Sequence, residues 1–231
     1  PPPSSGAIAV GQILGLLAHT HAAALPLQDG LPSADWLHIY TEAARLAFAD
    51  RAQYLGDPDF VQPPAGSWNS LLDPAYLAGR AQLIGLAPGA PSMKSAQPGT
   101  PGGTQTSYAP MPDQPEYGTS HISILDAHGN AVAMTTTIED AFGARQMVTT
   151  NAARSGGFLL NNELTDFSFT PSDAAGKPVA NRVEPGKRPR SSMAPTLVLD
   201  KASGQVLMSG GSPGGALIIH YTAKILYGVL N

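Results

Sequence analysis

The residues with the clearest chemical potential are Gly118 and Thr119, which join a proline- and glycine-rich segment to an alternating strand pattern. A threonine hydroxyl becomes an effective nucleophile when a base removes its proton, and the α-amine of the same residue can be that base. The amine has an unperturbed pKa of about 8, but it exists only after the preceding peptide bond is cut. Glycine tolerates strain at such a bond, and the hydroxyl can attack the preceding carbonyl. The pair therefore fits either an autocleavage site or the plain start of a strand.

The elements before this pair have a helical pattern. The spacing of apolar residues predicts helices over Ala7–His19, Trp36–Tyr54 and Pro74–Leu86, with Ser33 or Asp35 as the N-cap of the second. Residues 87–115 are rich in proline, glycine, serine and threonine, which predicts a linker without regular structure. We therefore expect a mostly helical first half that ends in a linker.

After the pair, the period changes to that of strands. Alternating residues and a loop with Gly129 predict a hairpin, and a second hairpin and an apolar helix follow. The predicted strands are Ser120–Leu125, Ala131–Ile138, Gly157–Leu160, Thr196–Leu199 and Gln205–Ser209, and the predicted helix is Ala216–Leu230. Helices followed by strands indicate the α+β class.

Composition argues against several classes of function. The chain has 231 residues, a formal net charge of -4 and only 13% charged residues, so nothing indicates a nucleic-acid partner. Its apolar runs are too short or too interrupted to predict a membrane span. It has no cysteine, which removes disulfides, thiolate metal sites and cysteine nucleophiles. The six histidines lack metal-ligand spacing, so we predict no metal and no cofactor.

The segment that begins at Thr119 resembles the processing site of the gamma-glutamyltransferase family, a branch of the N-terminal-nucleophile hydrolases. It reads Thr119-Ser120-His121-Ile122-Ser123 and runs into a strand. Other motifs similar to those of the family lie on both sides of it, in family order. They are Pro1–Gly6, Ala49–Phe60, Leu159–Ser168, Arg188–Thr196 and Gly211–Gly215. Because these motifs together span nearly the whole chain, their joint specificity is high.

The resemblance implies a role for each residue of the site. Cleavage between Gly118 and Thr119 would make Thr119 the catalytic nucleophile, with Thr137 positioning its hydroxyl. The amides of Gly214 and Gly215 would form the oxyanion hole, a role that suits bare N–H groups at a helix start. The implied substrate-binding residues are Glu163 and Asp166 for an ammonium group, and Ser191 and Ser192 for a carboxylate or the network around it.

Other features near these motifs would shape the pocket or belong to the scaffold. Glu139 occupies the position of a family asparagine that helps to hold the substrate amine, so it joins the substrate-binding set. The connection Val148–Gly157 is longer than is usual in the family and would lie near the site. His121 is expected to be structural because the terminal amine already supplies the base. Asp50 and Arg51 are interpreted as a structural ion pair.

The resemblance also implies an architecture. The fold would be the four-layer αββα sandwich, of which this chain is an incomplete fragment. Residues 1–118 would be the C-terminal part of a large subunit and residues 119–231 the N-terminal part of a small subunit, both made from one precursor and intertwined in one domain. The family's carboxylate-binding arginine would lie upstream of residue 1. Export to the periplasm or outside the cell is expected from the resemblance alone.

Three hypotheses for function follow. The first is an autoprocessed threonine-nucleophile enzyme that cleaves gamma-glutamyl amides such as glutathione and transfers the glutamyl group to water or an amine. The second is an acylase of the same superfamily that acts on a glutaryl or cephalosporin side chain, and Glu139 and the long connection motivate it. The third is a catalytically silent binding or structural relative, against which the intact Thr119 and Thr137 argue.

Overall fold

The computed structural model describes residues 3–103, 105–149 and 156–231. The α-helices are α1 (Gly6–Ala18), α2 (Ala34–Tyr54), α3 (Pro74–Ala81) and α4 (Leu217–Leu230). The strands are β1 (Leu27–Gln28), β2 (Leu31–Pro32), β3 (Ser120–Leu125), β4 (Ala131–Thr136), β5 (Met147–Val148), β6 (Phe158–Leu159), β7 (Thr196–Leu199) and β8 (Val206–Gly210). Consecutive strands pair antiparallel, β1 with β2 and so on to β7 with β8. Helices and antiparallel hairpins together confirm the predicted α+β class.

Helix α1 is the centre of the helical layer and contacts α2, α3 and α4. Its apolar side chains Ile13 and Leu16 are almost fully buried, as are Ile39 on α2 and Ile219 on α4. Removing these side chains from water is the main stabilising term for such a layer. Helix α2 begins where the Oγ of Ser33 accepts the N–H of Trp36 at 3.2 Å, so Ser33 rather than Asp35 is the N-cap.

Helix α3 is shorter than the sequence predicts. It ends at Ala81 rather than near Leu86. The chain then tightens into a turn in which the N–H of Ile84 donates to the main-chain oxygen of Ala81 at 3.0 Å. This turn places Ile84 in the main core, where it is 4% exposed. Burying the Ile84 side chain is therefore more favourable than extending α3 to Leu86.

The predicted linker, residues 87–115, has no α-helix or strand in its described part, as expected. Parts of it are nevertheless packed into the molecule. The main-chain N–H of Ala109 donates to Pro178 at 2.8 Å, and that of Met111 donates to Ala52 at 2.9 Å. The side chains of Ala109 and Met111 are buried. The segment that leads to Gly118 is thus held by main-chain hydrogen bonds to α2 and to the loop that contains Pro178.

The two long hairpins pack against each other. The β3–β4 hairpin pairs Ser120 with Thr136 at its open end, and β7–β8 lies across it. The hydroxyl of Ser123 donates to the main-chain oxygen of Ser209 at 3.1 Å. The hydroxyl of Ser209 donates to the main-chain oxygen of Val132 at 2.8 Å. Strand β4 ends at Thr136, two residues before the predicted Ile138. The chain beyond it turns into the site described below.

Several predictions concern regions beyond these elements. Within the described residues the strands form four two-stranded sheets, and the four-layer sandwich stays a prediction. Most of the long connection predicted between Val148 and Gly157, residues 150–155, lies outside the described part of the chain. In the part that is described, no helix combines the length and hydropathy needed to cross a bilayer.

Candidate active site

The predicted site residues converge on one cleft between the start of β3, the end of β4 and the N-terminal end of α4. Gly118, Thr119, Thr137, Glu139, Glu163, Asp166, Ser191, Ser192 and Gly215 all line it. Gly214 does not line it but precedes Gly215 directly. Residues from widely separated parts of the sequence are therefore brought to one place.

Two hydroxyl groups meet at the carbonyl of Gly118. The Thr119 hydroxyl donates to the Gly118 oxygen. The Thr137 hydroxyl donates to the same oxygen at 3.1 Å. Thr137 in turn accepts the main-chain N–H of Glu139 at 2.7 Å, which fixes its orientation. The two threonines therefore share an acceptor, which polarises the carbonyl.

Glycine at position 118 is required by a close approach. A Cβ built on Gly118 would lie 2.6 Å from the main-chain oxygen of Glu139. Real Cβ atoms do not come that close to an oxygen, so a larger residue would push the two segments apart. The glycine was expected to tolerate strain at the bond. Its structural role is to let the bond approach the turn after β4.

Glu139 holds that turn in an unusual conformation. Its φ is 72°, a left-handed value that is uncommon for a residue other than glycine. The side chain is buried. Its carboxylate accepts hydrogen bonds from the N–H of Tyr117 at 3.3 Å and from Nδ2 of Asn162 at 2.5 Å. The Oδ1 of Asn162 also accepts the N–H of Asp140 at 2.9 Å. Asn162 lies inside a motif used for the resemblance, but sequence reasoning assigned it no role.

Glu163 and Asp166 form a short 3-10 helix next to Glu139. Burial raises the pKa of Asp166 to about 8, and the charge of Glu163 acts in the same direction. Burial also raises the pKa of Glu163. Because like charges in a poorly solvated site do not both ionise easily, the pair tends to retain a proton at neutral pH. The Oε1 of Glu163 is buried without a hydrogen-bond partner among the described residues. The arrangement is suited to accept a cationic donor.

Ser191 and Ser192 play different parts. The Ser191 hydroxyl accepts the N–H of Met193 at 3.1 Å, a local turn contact. The buried Ser192 hydroxyl donates to the carboxylate of Glu116 at 2.7 Å and accepts from Arg51 Nη2 at 2.5 Å. Burial raises the pKa of Glu116, but Arg51 and Ser192 outweigh that effect and hold it below its ordinary value. Ser192 thus belongs to a charged network at the wall of the cleft.

The predicted ion pair between Asp50 and Arg51 is not formed. Arg51 Nη2 lies 3.3 Å from the carboxylate of Glu116, whereas Asp50 lies 3.2 Å from Arg80 Nη2. Neighbouring residues on a helix point about 100° apart, so the two side chains face different partners. Glu116 lines the cleft and Arg51 pairs with it, and the sequence analysis assigned neither residue to the site. The sequence does hold one indication for Glu116: it lies only three residues before Thr119, and so must be close to the site.

Gly214 and Gly215 begin the turn into α4. Their φ values are 127° and 55°, which glycine adopts far more readily than other residues. The main-chain oxygen of Gly215 accepts the N–H of Ile218 at 3.1 Å. A Cβ on Gly215 would overlap the main-chain oxygen of Glu116, so the segment before the Gly118–Thr119 bond lies directly on this turn. His121 lies apart from these contacts and bonds Thr135 at 2.8 Å and Ser123 at 3.0 Å.

Comparison with known proteins identifies the family. The sequence model of the family described as Gamma-glutamyltranspeptidase matches residues 1–231. The chain belongs to this family. It is 39% identical to a glutathione hydrolase proenzyme of Pseudomonas aeruginosa over 235 residues, which cover 100% of the chain and 37% of that protein. It is 40% identical to a glutathione hydrolase proenzyme of Escherichia coli over 227 residues, 95% of the chain and 34% of that protein. The chain thus spans little more than a third of these relatives.

Acylases are also among the similar proteins. An acylase ACY 1 proenzyme of Pseudomonas sp. strain SE83 is 33% identical over 231 residues, 100% of the chain and 35% of that protein. The crystal structure of cephalosporin acylase from Bacillus halodurans superposes with a TM-score of 0.66, covering 100% of the chain and 34% of that structure at 19% identity. The superposition indicates a shared fold, and the sequence places the chain in the gamma-glutamyltranspeptidase family.

Proposed function

We propose that Thr119 becomes an N-terminal nucleophile by autocleavage of the Gly118–Thr119 bond, and that the cut protein then cleaves gamma-glutamyl amides. The observation that carries the proposal is the intact Gly118 carbonyl, which accepts hydrogen bonds from both Thr119 and Thr137. The membership of the gamma-glutamyltranspeptidase family supports the substrate class.

Autocleavage begins with attack of the Thr119 hydroxyl oxygen on the carbonyl carbon of Gly118. The donor hydroxyl of Thr137 stabilises the negative charge that develops on the carbonyl oxygen. The C–N bond then breaks, and the nitrogen of Thr119 takes up the proton lost by the hydroxyl. Water hydrolyses the resulting ester, which leaves a carboxylate on Gly118 and a free amine and hydroxyl on Thr119. The new amine is the base that the nucleophile needs.

In the cut protein, the Thr119 amine takes the proton of the Thr119 hydroxyl, and the oxygen attacks the gamma-carbonyl of the substrate. The amides of Gly214 and Gly215 stabilise the oxyanion at the start of α4. The amine product leaves with the proton, and the glutamyl group stays on Thr119 as an ester. Water, or the amine of an amino acid or peptide, then takes the glutamyl group.

The carboxylates of the cleft select the substrate. The α-ammonium of a glutamyl group donates to Glu139, Glu163 and Asp166, and it replaces the proton that the acidic pair retains at neutral pH. Ser191 and Ser192 bind the α-carboxylate side of the same group. A charged ammonium between carboxylates is favourable because the cleft is poorly solvated.

A second candidate function is hydrolysis of another acyl amide, such as a glutaryl or cephalosporin side chain. Glu139, which stands in place of the family asparagine, favours it, and so does the likeness to an acylase proenzyme. The two functions are separated by comparing hydrolysis of a gamma-glutamyl anilide with that of a glutaryl amide. Activity on the glutaryl amide alone would reject the gamma-glutamyl proposal.

The architecture proposed with this function is the four-layer αββα sandwich. Residues 1–118 belong to the large subunit and residues 119–231 to the small subunit of one precursor. Exposed apolar side chains on the hairpins support further layers outside this chain, among them Ile124, Leu125 and Leu207. We also propose a periplasmic or secreted location, which rests on the family alone.

The experiment that tests the proposal is expression of the full-length protein and of its Thr119→Ala variant. The parent should give two bands on a denaturing gel, and N-terminal sequencing of the smaller band should begin at Thr119. Thr119→Ala should stay uncut, while Thr119→Ser, which keeps a hydroxyl, should still be cut. A new terminus elsewhere, or full cleavage of Thr119→Ala, would overturn the site assignment.

A further inference from the structure

Two buried arginines lie behind the cleft. Arg51 is 5% exposed and Arg190 is 3% exposed, and Arg190 Nη1 donates to the main-chain oxygen of Arg51 at 3.1 Å. Among the described residues, the carboxylate of Glu116 alone comes within ion-pair distance of Arg51. Buried cations need such a partner, because an unpaired charge in a low-dielectric interior is strongly unfavourable.

The site around Glu116 is built for a carboxylate. One of its oxygens lies 3.3 Å from Arg51 Nη2, and the other accepts from the Ser192 hydroxyl at 2.7 Å. The Nε of Arg51 donates to Ser5 Oγ at 2.8 Å, which fixes the plane of the guanidinium group. A fixed guanidinium and a hydroxyl together bind the two oxygens of a carboxylate with defined geometry.

Glu116 also belongs to the segment that autocleavage would release. It lies two residues before Gly118, and its main-chain oxygen rests on Gly215. The next residue, Tyr117, donates its N–H to Glu139 at 3.3 Å. The side chain of Glu116 is therefore a charged contact that holds the segment carrying the Gly118 carbonyl next to Thr137.

We propose that Glu116 is a positioning residue for autocleavage, which acts by occupying an anion site formed by Arg51 and Ser192. While the chain is uncut, this contact holds the Gly118 carbonyl against the two threonine hydroxyls and blocks the cleft. After cleavage, Glu116 withdraws with the new C-terminus, and the site becomes available to a carboxylate from outside the chain. The inference rests on the proposed function, since the segment is released only if the Gly118–Thr119 bond is cut.

The first test measures the rate of autocleavage in the full-length protein by loss of the uncut band on a denaturing gel. Glu116→Gln keeps the shape of the side chain and removes its charge, and Glu116→Ala empties the site. Both should cleave about tenfold more slowly or worse, because small misplacement of a reacting group has large effects on rate. The control is Asp113→Asn, which removes an exposed carboxylate from the same segment and should cleave like the parent.

Rescue distinguishes an anion site from a merely structural contact. Sodium acetate should accelerate cleavage of Glu116→Ala in a saturable way, whereas sodium chloride at equal ionic strength should not. Acetate should leave Glu116→Gln unchanged, because the amide fills the site. Cleavage of Glu116→Gln at the parental rate would overturn the proposal, and so would a slow Glu116→Ala that acetate does not accelerate.

A binding measurement in the Thr119→Ala background separates this inference from the proposed nucleophile. Glutarate should raise the melting temperature of Thr119→Ala/Glu116→Ala but not that of Thr119→Ala, whose anion site is filled. When a denaturing gel shows that both proteins are uncut, an equal response of the two, or no response in either, would reject the anion site. If Thr119→Ala itself were still cut, the nucleophile assignment would fail, and glutarate should then stabilise both proteins, because Glu116 would have left Arg51 and Ser192.

Discussion

Asp50 and Arg51 are neighbours on α2, yet their charges serve two regions of opposite character. Asp50 lies inside the helical layer, where it accepts from Gln12 Nε2 at 2.8 Å, Tyr76 Oη at 2.6 Å and Arg80 Nη2 at 3.2 Å. Arg51 instead lies behind the cleft and pairs with Glu116, which lines it. The first cluster joins elements of the scaffold, and the second joins the scaffold to a segment proposed to leave.

The buried ion pairs of the two regions have different roles. An ion pair between two segments that both remain in the fold contributes to stability before and after cleavage. Removing one partner leaves the other charge buried and uncompensated. A pair with a releasable segment contributes only while that segment is in place. Its loss then leaves a buried cation that favours binding of another anion. The same interaction thus stabilises a scaffold in one region and prepares a site in the other.

The largest expected effect concerns stability. Asp50→Asn should lower the free energy of unfolding by about 3–5 kcal/mol, because it leaves Arg80 buried without its counter-ion. The loss should appear in both the uncut and the cut protein. Glu116→Gln should lower the stability of the uncut protein only. Denaturant unfolding of each variant measures this, with Thr119→Ala as the uncut background.

The control for these two variants is Asp113→Asn, whose exposed carboxylate makes no ion pair among the described residues. It should leave the stability of both forms unchanged. An equal loss of stability for Glu116→Gln in the cut and uncut proteins would mean that Glu116 does not leave. The contrast between the two regions would then disappear.

The next effect concerns the close approach at Gly118. Gly118→Ala should slow autocleavage about a hundredfold, because the added Cβ would displace the carbonyl from Thr119 and Thr137. Gly79→Ala is the matched control, since a Cβ at Gly79 would meet no atom within 4 Å. It should cleave at the parental rate. Rapid cleavage of Gly118→Ala would show that the approach to Glu139 is not needed for the reaction.

Much of this molecule could be predicted from local patterns. Helix α2, with its Ser33 cap, and the β3–β4 hairpin follow from periodicity and turn residues that act within a few positions. The end of α3 could not be predicted, because burial of Ile84 in the core decides it. The periodicity of apolar residues indicates which face of a helix or strand is buried. It does not indicate the residue at which tertiary packing ends that helix or strand.

The candidate site divides in the same way. Motifs in the sequence assign Thr119, Thr137 and Gly215 to one site, and the cleft contains all three. The partners of Arg51 and Asp50 could not be read from the sequence, since adjacent charges of opposite sign suggest a pair with each other. The helix geometry turns them apart, and each finds a partner far along the chain. Long-range electrostatic partners are therefore the part that sequence reasoning missed.

The smallest effect is a pH dependence that arises in the cleft. The pKa of Asp166 is raised from 3.8 to about 8 by burial first and by Glu163 second. Between about pH 4 and pH 8, Asp166 keeps its proton in the folded protein and loses it in the unfolded chain. The folded state thus binds more protons, so this group favours folding at low pH, and its contribution is lost as the pH rises to about 8.

Asp166→Asn should therefore flatten the decline in stability of the uncut Thr119→Ala protein over this pH range. The difference in slope should stay below about 1.4 kcal/mol per pH unit, the limit for one proton, because solvent and Glu163 share the effect. Denaturant unfolding at several pH values measures it, with Asp113→Asn as the control that should keep the parental slope. A slope of Asp166→Asn equal to the parent's would mean that Asp166 is ionised in the folded protein across this pH range.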